Sequence, residues 1–233
     1  MKKGLTKGMV DGIPIALGYL SVSFGFGILA VRNGLTVFWS GLISLTNVTS
    51  AGQAAGVDII AAGGTLLEMI LVQITINIRY SLMAISLSQK LDDSFTLRHR
   101  FLASYGITDE IFALCATNKG KLTPSYMYGI IIVAAFGWTS GTIIGAAAGE
   151  ILPASVTNAM GIMLYGMFLA IIIPPSKKQK SVFITVIIAS LISLLFKYVF
   201  SAVSGGFAVI ISAVIAAAAA ALFFPVKEEE AAQ

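Results

Sequence analysis

The sequence predicts an all-α, polytopic membrane protein with about six full spans and two re-entrant or broken-helix segments. Three observations support this fold class. Of the 233 residues, 57% are hydrophobic and 11% are charged, whereas a soluble domain carries about 25% charged residues. The mean hydropathy is +0.91. Long apolar runs also recur along the chain, and polar residues interrupt two of them. A chain of this composition has too little polar surface to face water, so it belongs in a bilayer.

Six segments are apolar enough to cross a bilayer, which takes about 20 residues. We expect them to form a single transport domain over residues 1–233, with residues 1–11 as a cytoplasmic N-terminal segment and residues 226–233 as a charged cytoplasmic tail. The basic N-terminus lacks the short apolar core and cleavage site of a signal peptide. The predicted spans are Ile13–Val31, Thr65–Leu87, Tyr126–Ala148, Val156–Ile173, Val182–Phe200 and Phe207–Phe224.

Two segments do not fit the pattern of a plain span. Leu35–Ala62 is too long and too interrupted, and Phe101–Asn118 is short and carries two adjacent acids. If both segments are re-entrant and the N-terminus is cytoplasmic, Arg32 is the one basic loop residue on the outer side. Basic loop residues of membrane proteins concentrate on the cytoplasmic side. A full crossing by Leu35–Ala62 alone would put most basic loops outside and violate this bias strongly. A crossing by both segments would violate it less. The charge distribution therefore favours two re-entrant segments.

The first segment contains the stretch ISLTNVTSAGQAAGVDII, which is predicted to turn near Asn47–Thr49. A second half-helix then starts with Ser50 as its N-cap and Gln53 at the third helical position, the spacing of a capping box. The N–H groups of its first turn have no intrahelical partner, so they favour an anion such as a substrate carboxylate. Asn47 and Gln53 can add neutral hydrogen bonds. The alternative is that these polar groups serve helix–helix contacts alone.

The second segment repeats this pattern. Gly106 breaks it, Thr108 can cap the next half-helix, and Asp109 and Glu110 fill the first turn. The helix dipole by itself favours acids there, but acids inside a membrane usually face a cavity, a proton path or a partner. We expect Asp109 to stay ionised and to receive the substrate ammonium or Arg79. Glu110 is expected to accept and release the coupling proton.

The span Thr65–Leu87 carries further polar residues. Gln73 and Asn77 are four residues apart and share a helix face with Tyr80, so this face is predicted to line the cavity. Arg79 lies about two turns from the cytoplasmic end. It either extends to the lipid headgroups or pairs with one of the two acids of the second segment.

Three glycines are spaced four residues apart in one predicted span. Gly141, Gly145 and Gly149 therefore form one stripe that permits close approach of another helix. Packing within the chain is favoured over a subunit contact.

Four stretches in the first half of the chain carry a family resemblance. They are GIPIALGYLSVSFGFGILAV at Gly12–Val31, TSAGQ at Thr49–Gln53, NIRYSLMAISLS at Asn77–Ser88 and ITDEIFAL at Ile107–Leu114. In this order they resemble the AzlC family, the large subunits of branched-chain amino acid exporters, known also as azaleucine-resistance proteins. The resemblance implies export of hydrophobic amino acids driven by the proton gradient. It also implies a small multi-span partner of the AzlD type.

We therefore expect a secondary transporter for branched-chain or other hydrophobic amino acids in the cell (inner) membrane. A channel or facilitator for a small neutral solute is the alternative, because channels also use re-entrant half-helices. Coupled proton flux separates the two. The sequence contains no metal-ligand cluster, phosphate-binding loop or nucleophile–base arrangement, so neither a cofactor nor an enzymatic activity is predicted.

Overall fold

The structure is a computed structural model that describes residues 2–153 and 172–224, together with residues 155, 166 and 169. Within these residues every regular element is a helix, apart from one isolated β-bridge. The predicted all-α polytopic fold is thus confirmed. The helices whose two ends both lie among the described residues are α1 (Lys2–Arg32), α2 (Val37–Thr46), α3 (Ala51–Ala61), α4 (Leu66–Ser88), α5 (Leu97–Ser104), α6 (Asp109–Thr117), α7 (Pro124–Ile151), α8 (Lys180–Tyr198) and α9 (Gly205–Phe223).

Among the described residues, α1, α4, α7, α8 and α9 are long and apolar enough to cross a membrane. They confirm five of the six predicted spans. The sixth, Val156–Ile173, lies largely outside the described residues, and the predicted tail at 226–233 lies wholly outside them. The expected N-terminal segment is part of α1, whose 31 residues extend for about 46 Å at 1.5 Å per residue. This helix is therefore longer than the ~30 Å hydrocarbon core.

The chain divides into two compact units. The first contains α1, α2, most of α3, the second half of α4, and α5 to α7. The second contains the end of α3, the first half of α4, α8 and α9. The single transport domain expected from the sequence stays a prediction.

Helices α1 and α7 form the scaffold of the first unit and run in the same direction. Near their beginnings Gly8 of α1 lies against Tyr126 of α7, and near their ends Phe24 of α1 lies against Gly145 of α7. At both places a β-carbon on the glycine would collide with backbone atoms of the facing helix. The predicted glycine stripe therefore packs within the chain, as expected. We call the end where both helices begin the proximal end and the other the distal end.

The parallel scaffold limits the path of the intervening chain. Between two parallel spanning helices the chain crosses the membrane an odd number of times. Helix α4 accounts for one crossing. The segments α2–α3 and α5–α6 therefore either both cross or both return to the side they entered from.

The segment α5–α6 returns to the proximal end. The residues just before α5 pair with the residue that follows α6 by two backbone hydrogen bonds. Leu122 N–H donates to the carbonyl oxygen of Lys90 at 2.8 Å, and Asp92 N–H donates to that of Leu122 at 3.0 Å. The ammonium of Lys90 also donates to the carbonyl oxygen of Asn118 at 2.8 Å. Since α7 begins two residues after Leu122, both ends of this hairpin lie at the proximal end.

The segment α2–α3 returns to the distal end. Val57 of α3 is buried against Phe26 and Ala30 in the last turns of α1, and Leu35, which precedes α2, packs on the same cluster. The start of α2 and the middle of α3 are therefore at one level of the scaffold. Both predicted re-entrant segments are hairpins of two half-helices, and they enter from opposite ends.

In the second unit a buried carboxylate joins α4 to α9. Glu68, with 5% of its surface exposed, accepts hydrogen bonds from Ser204 Oγ at 2.5 Å and from Gly206 N–H at 3.0 Å. An acid is well placed at this helix N-terminus, where the first N–H groups have no intrahelical partner. This contact holds the start of α9 against the start of α4.

Cysteine labelling from one side of the membrane tests the two hairpins. In a Cys115→Ala background, cysteines at Ser94 and Gly120 should react with an impermeant thiol reagent from one face and a cysteine at Asn33 from the other. Ser94 precedes α5, and Gly120, which has open space around it, follows α6. Labelling of Ser94→Cys and Asn33→Cys from the same face would contradict the re-entrant path of α2–α3.

Candidate functional site

The tips of the two hairpins meet halfway along the scaffold. We call Asn47–Ser50 the α2–α3 tip and Tyr105–Thr108 the α5–α6 tip. The hydroxyl of Tyr105 donates a hydrogen bond to the carbonyl oxygen of Leu45, so the α5–α6 tip touches the α2–α3 hairpin next to its tip. Trp138, which binds Gln53 of the first hairpin and packs against Tyr19, the partner of Thr108 at the second tip, lies at the middle of the 28-residue α7. The two breaks in helical structure are therefore at mid-depth.

Thr49 organises the α2–α3 tip. Its hydroxyl donates to Asn77 Oδ1 of α4 at 2.7 Å and accepts from Gly52 N–H at 3.2 Å. Ser50 precedes α3 as predicted, but its backbone has φ +24°, which residues other than glycine seldom adopt, and the hydroxyl that caps the first turn is that of Thr49. Asn47 ends α2 and is half-buried.

Gln53 is the centre of a buried polar cluster behind this tip. Its amide nitrogen donates to Ser44 Oγ at 2.9 Å, and its amide oxygen accepts from Trp138 Nε1 at 2.8 Å. The Ser44 hydroxyl also pairs with Thr142 Oγ1 of α7 at 2.7 Å. The predicted capping box of Ser50 and Gln53 is therefore wrong. A buried indole N–H needs an acceptor, and the Gln53 side chain, 2% exposed, supplies it.

The first turn of α6 carries an ion pair with α4. Arg79 Nη1 lies 2.6 Å from Asp109 Oδ2, so of the two alternatives for this arginine the structure shows the pairing. The guanidinium also stacks over the ring of Tyr80, 5.0 Å from its centroid. The side chains of Arg79 and Asp109 remain 40% and 32% exposed. An ion pair at mid-depth is thus open on one side.

The second acid of α6 contacts the scaffold. Glu110 is exposed, and its Oε2 accepts a hydrogen bond from the hydroxyl of Tyr19 at 2.6 Å. The same hydroxyl lies 2.5 Å from Thr108 Oγ1, which caps α6 by accepting from Ile111 N–H at 3.4 Å. The ring of Tyr19 packs edge-on against Trp138, with centroids 5.3 Å apart. The predicted cap of α6 is confirmed.

Most of the predicted site residues come together at the tips. Gln53 does not, because it points inward to α2 and α7. Gln73 belongs to the second unit, where its amide donates to Met69 Sδ at 3.8 Å. The predicted residues at the tips or beside them are Asn47, Ser50, Asn77, Arg79, Tyr80, Asp109 and Glu110.

The sequence analysis overlooked the residues that connect the tips to the scaffold. These are Tyr19, Ser44, Trp138 and Thr142. One signal was present, since a tyrosine hydroxyl and an indole N–H in an apolar span usually bind a buried polar partner. Which partner they bind depends on which helices pack together, and spacing within one helix does not contain that information.

The tips combine a positive helix end with exposed negative charge. The first turn of α3 contains no acidic residue that would offset the positive end of its helix dipole, so this end favours an anion. Beside the other tip, Asp109 and Glu110 present exposed carboxylates that suit a cation. A zwitterion matches both. Among the described residues, no group of three or more histidine, cysteine or acidic side chains is arranged to hold a metal ion.

Comparison with known proteins identifies the family. The family described as AzlC protein matches residues 14–152, which include both hairpins and most of the scaffold. The inner membrane protein YgaZ of Escherichia coli (strain K12) is 29% identical over 187 residues, 77% of this chain and 76% of that protein. An uncharacterized membrane protein of Archaeoglobus fulgidus is 30% identical over 173 residues, 73% and 75% of the two chains. No solved structure matches. The chain is therefore a multi-pass membrane protein that belongs to the AzlC family.

Proposed function

We propose that this chain is a secondary transporter that exports branched-chain or other hydrophobic amino acids. The observation that carries the proposal is the set of half-exposed charges at the meeting point of the two tips. Charged side chains at this depth are costly unless they face a wet cavity, a substrate or a partner. Discontinuous half-helices at mid-depth are also how many secondary transporters bind substrate. Membership of the AzlC family is consistent with transport.

The two tips offer complementary sites for the ends of an amino acid. The substrate carboxylate binds at the N-terminus of α3, where Asn47 and Ser50 provide hydrogen bonds. Asn77 and Tyr80 of α4 line the same side. The ammonium binds at the carboxylate of Asp109, which is 32% exposed beside Arg79. The apolar side chains around the tips then accept a branched aliphatic side chain.

Two predicted contacts take different roles in this proposal. Gln53 positions the α2–α3 hairpin, because both ends of its amide are already hydrogen-bonded within the protein. Gln73 precedes Asn77 by about one turn of α4, and its role as a substrate contact stays a prediction.

The two adjacent acids of α6 have different roles in proton coupling. Asp109 faces Arg79 at 2.6 Å, so protonating it would leave the guanidinium without its counter-ion. Glu110 faces the neutral hydroxyl of Tyr19, and protonating it leaves no such charge behind. Asp109 is therefore the fixed anion, and Glu110 is the proton carrier.

We further propose that the proximal end is cytoplasmic, in the inner membrane of the cell. Basic residues concentrate there, as the positive-inside bias requires, while Arg32 lies at the distal end. The basic residues at the proximal end are Lys3, Lys7, Lys90, Arg98, Arg100, Lys119 and Lys121. A small multi-span subunit of the AzlD type completes the permease and covers part of the half-exposed charged surface.

Export from whole cells tests the function. Cells loaded with labelled leucine, isoleucine, valine or methionine should lose label faster with the chain than without it, and faster still with an AzlD-type subunit. The matched control is Arg79→Gln, which keeps the length of the chain and removes the charge that balances Asp109. Equal efflux from cells with and without the chain, for all four amino acids, would refute the proposed function, and equal efflux with the chain and with Arg79→Gln would exclude the ion pair from it.

A channel for a small neutral solute is the second candidate, favoured by the opposed half-helices. Proton movement separates the two functions. Substrate efflux through a transporter should acidify or alkalinise the vesicle interior in proportion to flux, whereas flux through a channel leaves internal pH unchanged.

A further inference from the structure

We propose that Tyr19 is a positioning residue that links the protonation state of Glu110 on one hairpin to the packing of Trp138 and Gln53 behind the other. The link rests on the proposed role of Glu110 as proton carrier. It is nevertheless measurable without any substrate. It explains how a proton bound at the α5–α6 hairpin influences the α2–α3 tip, where the proposed carboxylate site lies.

One hydroxyl at the Glu110 end serves two oxygen atoms. Tyr19 Oη lies 2.6 Å from Glu110 Oε2 and 2.5 Å from Thr108 Oγ1, and it has one proton to donate. When Glu110 is ionised, that proton goes to the carboxylate, and the Thr108 hydroxyl donates to Tyr19 Oη. When Glu110 binds a proton, its carboxyl group donates to Tyr19 Oη, and Tyr19 donates to Thr108. One added proton therefore reverses both hydrogen bonds of Tyr19.

At the other end the tyrosine ring touches the buried cluster. Its edge-on contact with Trp138 has an interplanar angle of 77°, and both rings are almost fully buried. The indole N–H of Trp138 donates to Gln53 Oε1 at 2.8 Å. Protein interiors are close-packed, so a shift of the Tyr19 ring moves the indole as well. The indole in turn repositions the amide that holds α2 and α3 together.

The other charged groups near Glu110 are already engaged. Arg79 of α4 pairs with Asp109, the neighbour of Glu110 on α6, and Tyr80 of α4 lies under that guanidinium. From α1 the group that faces Glu110 is Tyr19, and from α7 the group that faces Tyr19 is the indole of Trp138. Tyr19 thus touches both the proton carrier and Trp138, the hydrogen-bond partner of Gln53.

Tryptophan fluorescence of the purified full chain tests this link. The sequence has two tryptophans, and Trp39 is 55% exposed, so Trp39→Phe leaves Trp138 as the sole indole. We expect the emission maximum and quencher accessibility of Trp138 to change in one step with pH. Glu110→Gln should abolish the step because its amide does not titrate. Tyr19→Phe, which keeps the ring and removes the hydroxyl, should reduce the step to a small fraction of its amplitude in the parent protein, because the hydroxyl that bonds to the carboxyl group is gone.

Tyr198→Phe is the matched control, since Tyr198 is 73% exposed at the end of α8 and should leave the step unchanged. A full pH step in Tyr19→Phe, or no step in the parent protein, overturns the proposal. If Tyr19→Phe does not fold, the result with Glu110→Gln decides it, because a step that survives this change does not arise at Glu110. These measurements contain no amino acid, so their outcome is independent of whether the export experiment succeeds.

Discussion

Replacing Gly145 with leucine is expected to eliminate most of the folded protein. The backbone of Phe24 in α1 lies directly against this glycine, and any β-carbon there would collide with it. Overpacking a core costs about 1–3 kcal/mol even where side chains can shift. Here the obstacle is a helix backbone, so we expect a loss above about 3 kcal/mol, a large share of the net stability of a domain. The measurement is the yield of monodisperse protein and its melting temperature in detergent.

Gly18→Leu is the control for this substitution. Gly18 lies on α1 as well, but no atom lies within 4 Å of the position where its β-carbon would be. The added side chain therefore meets open space and also raises helix propensity. Equal melting temperatures for the two leucine variants would show that α1 and α7 are not in backbone contact.

Glu110→Gln is expected to abolish the acceleration of transport by a pH gradient while leaving substrate exchange intact. The amide keeps the shape of the carboxyl group and still accepts a hydrogen bond from Tyr19, but it does not bind the coupling proton. The measurement is labelled leucine flux in vesicles that contain the chain and its partner subunit, with and without an imposed gradient.

Asp109→Asn makes the same acid-to-amide change at the adjacent residue and should impair transport in a different way. It leaves Arg79 without a counter-ion, which costs about 3–5 kcal/mol in a fully buried site. Because the pair is 40% and 32% exposed, we expect about 1–2 kcal/mol, a roughly tenfold loss of both exchange and gradient-driven flux. Arg79→Gln combined with Asp109→Asn should recover part of the exchange. If Glu110→Gln and Asp109→Asn both keep full gradient-driven transport, the coupling residue is elsewhere.

The positions of the spanning helices were predictable because one physical quantity sets them. An apolar run must cover the thickness of the bilayer, and α4, α8 and α9 begin and end within about two residues of the predicted spans. The longer α1 is the exception. Its first turns carry Lys3, Lys7 and Asp11, and such charged residues are not expected in a span on the basis of hydropathy. These turns are nevertheless helical, because Gly8 packs against the backbone of α7 and Asp11 accepts a hydrogen bond from Tyr126.

The two hairpins were predictable for a different reason. A break in helical structure needs local residues, such as Gly106 and the cap Thr108, and the sorting of basic loops determines the side to which the chain returns. What local signals do not determine is which side chains meet across helices. Ser50 and Gln53 have the spacing of a capping box, but the buried indole of Trp138 competes for the same amide. A tertiary contact overrides the local one.

The α5–α6 hairpin is fixed more firmly at its base than at its tip. Two backbone hydrogen bonds that join Leu122 to Lys90 and Asp92, together with the Lys90 ammonium on the carbonyl oxygen of Asn118, fix the end where the hairpin begins and finishes. The far end is held by side chains alone, through Tyr19, Arg79 and Tyr105. A lever arm of nine residues is about 13 Å long, so a rotation of about 10° at the base moves the free end about 2 Å. That displacement breaks a hydrogen bond at the tip while leaving those at the base in place.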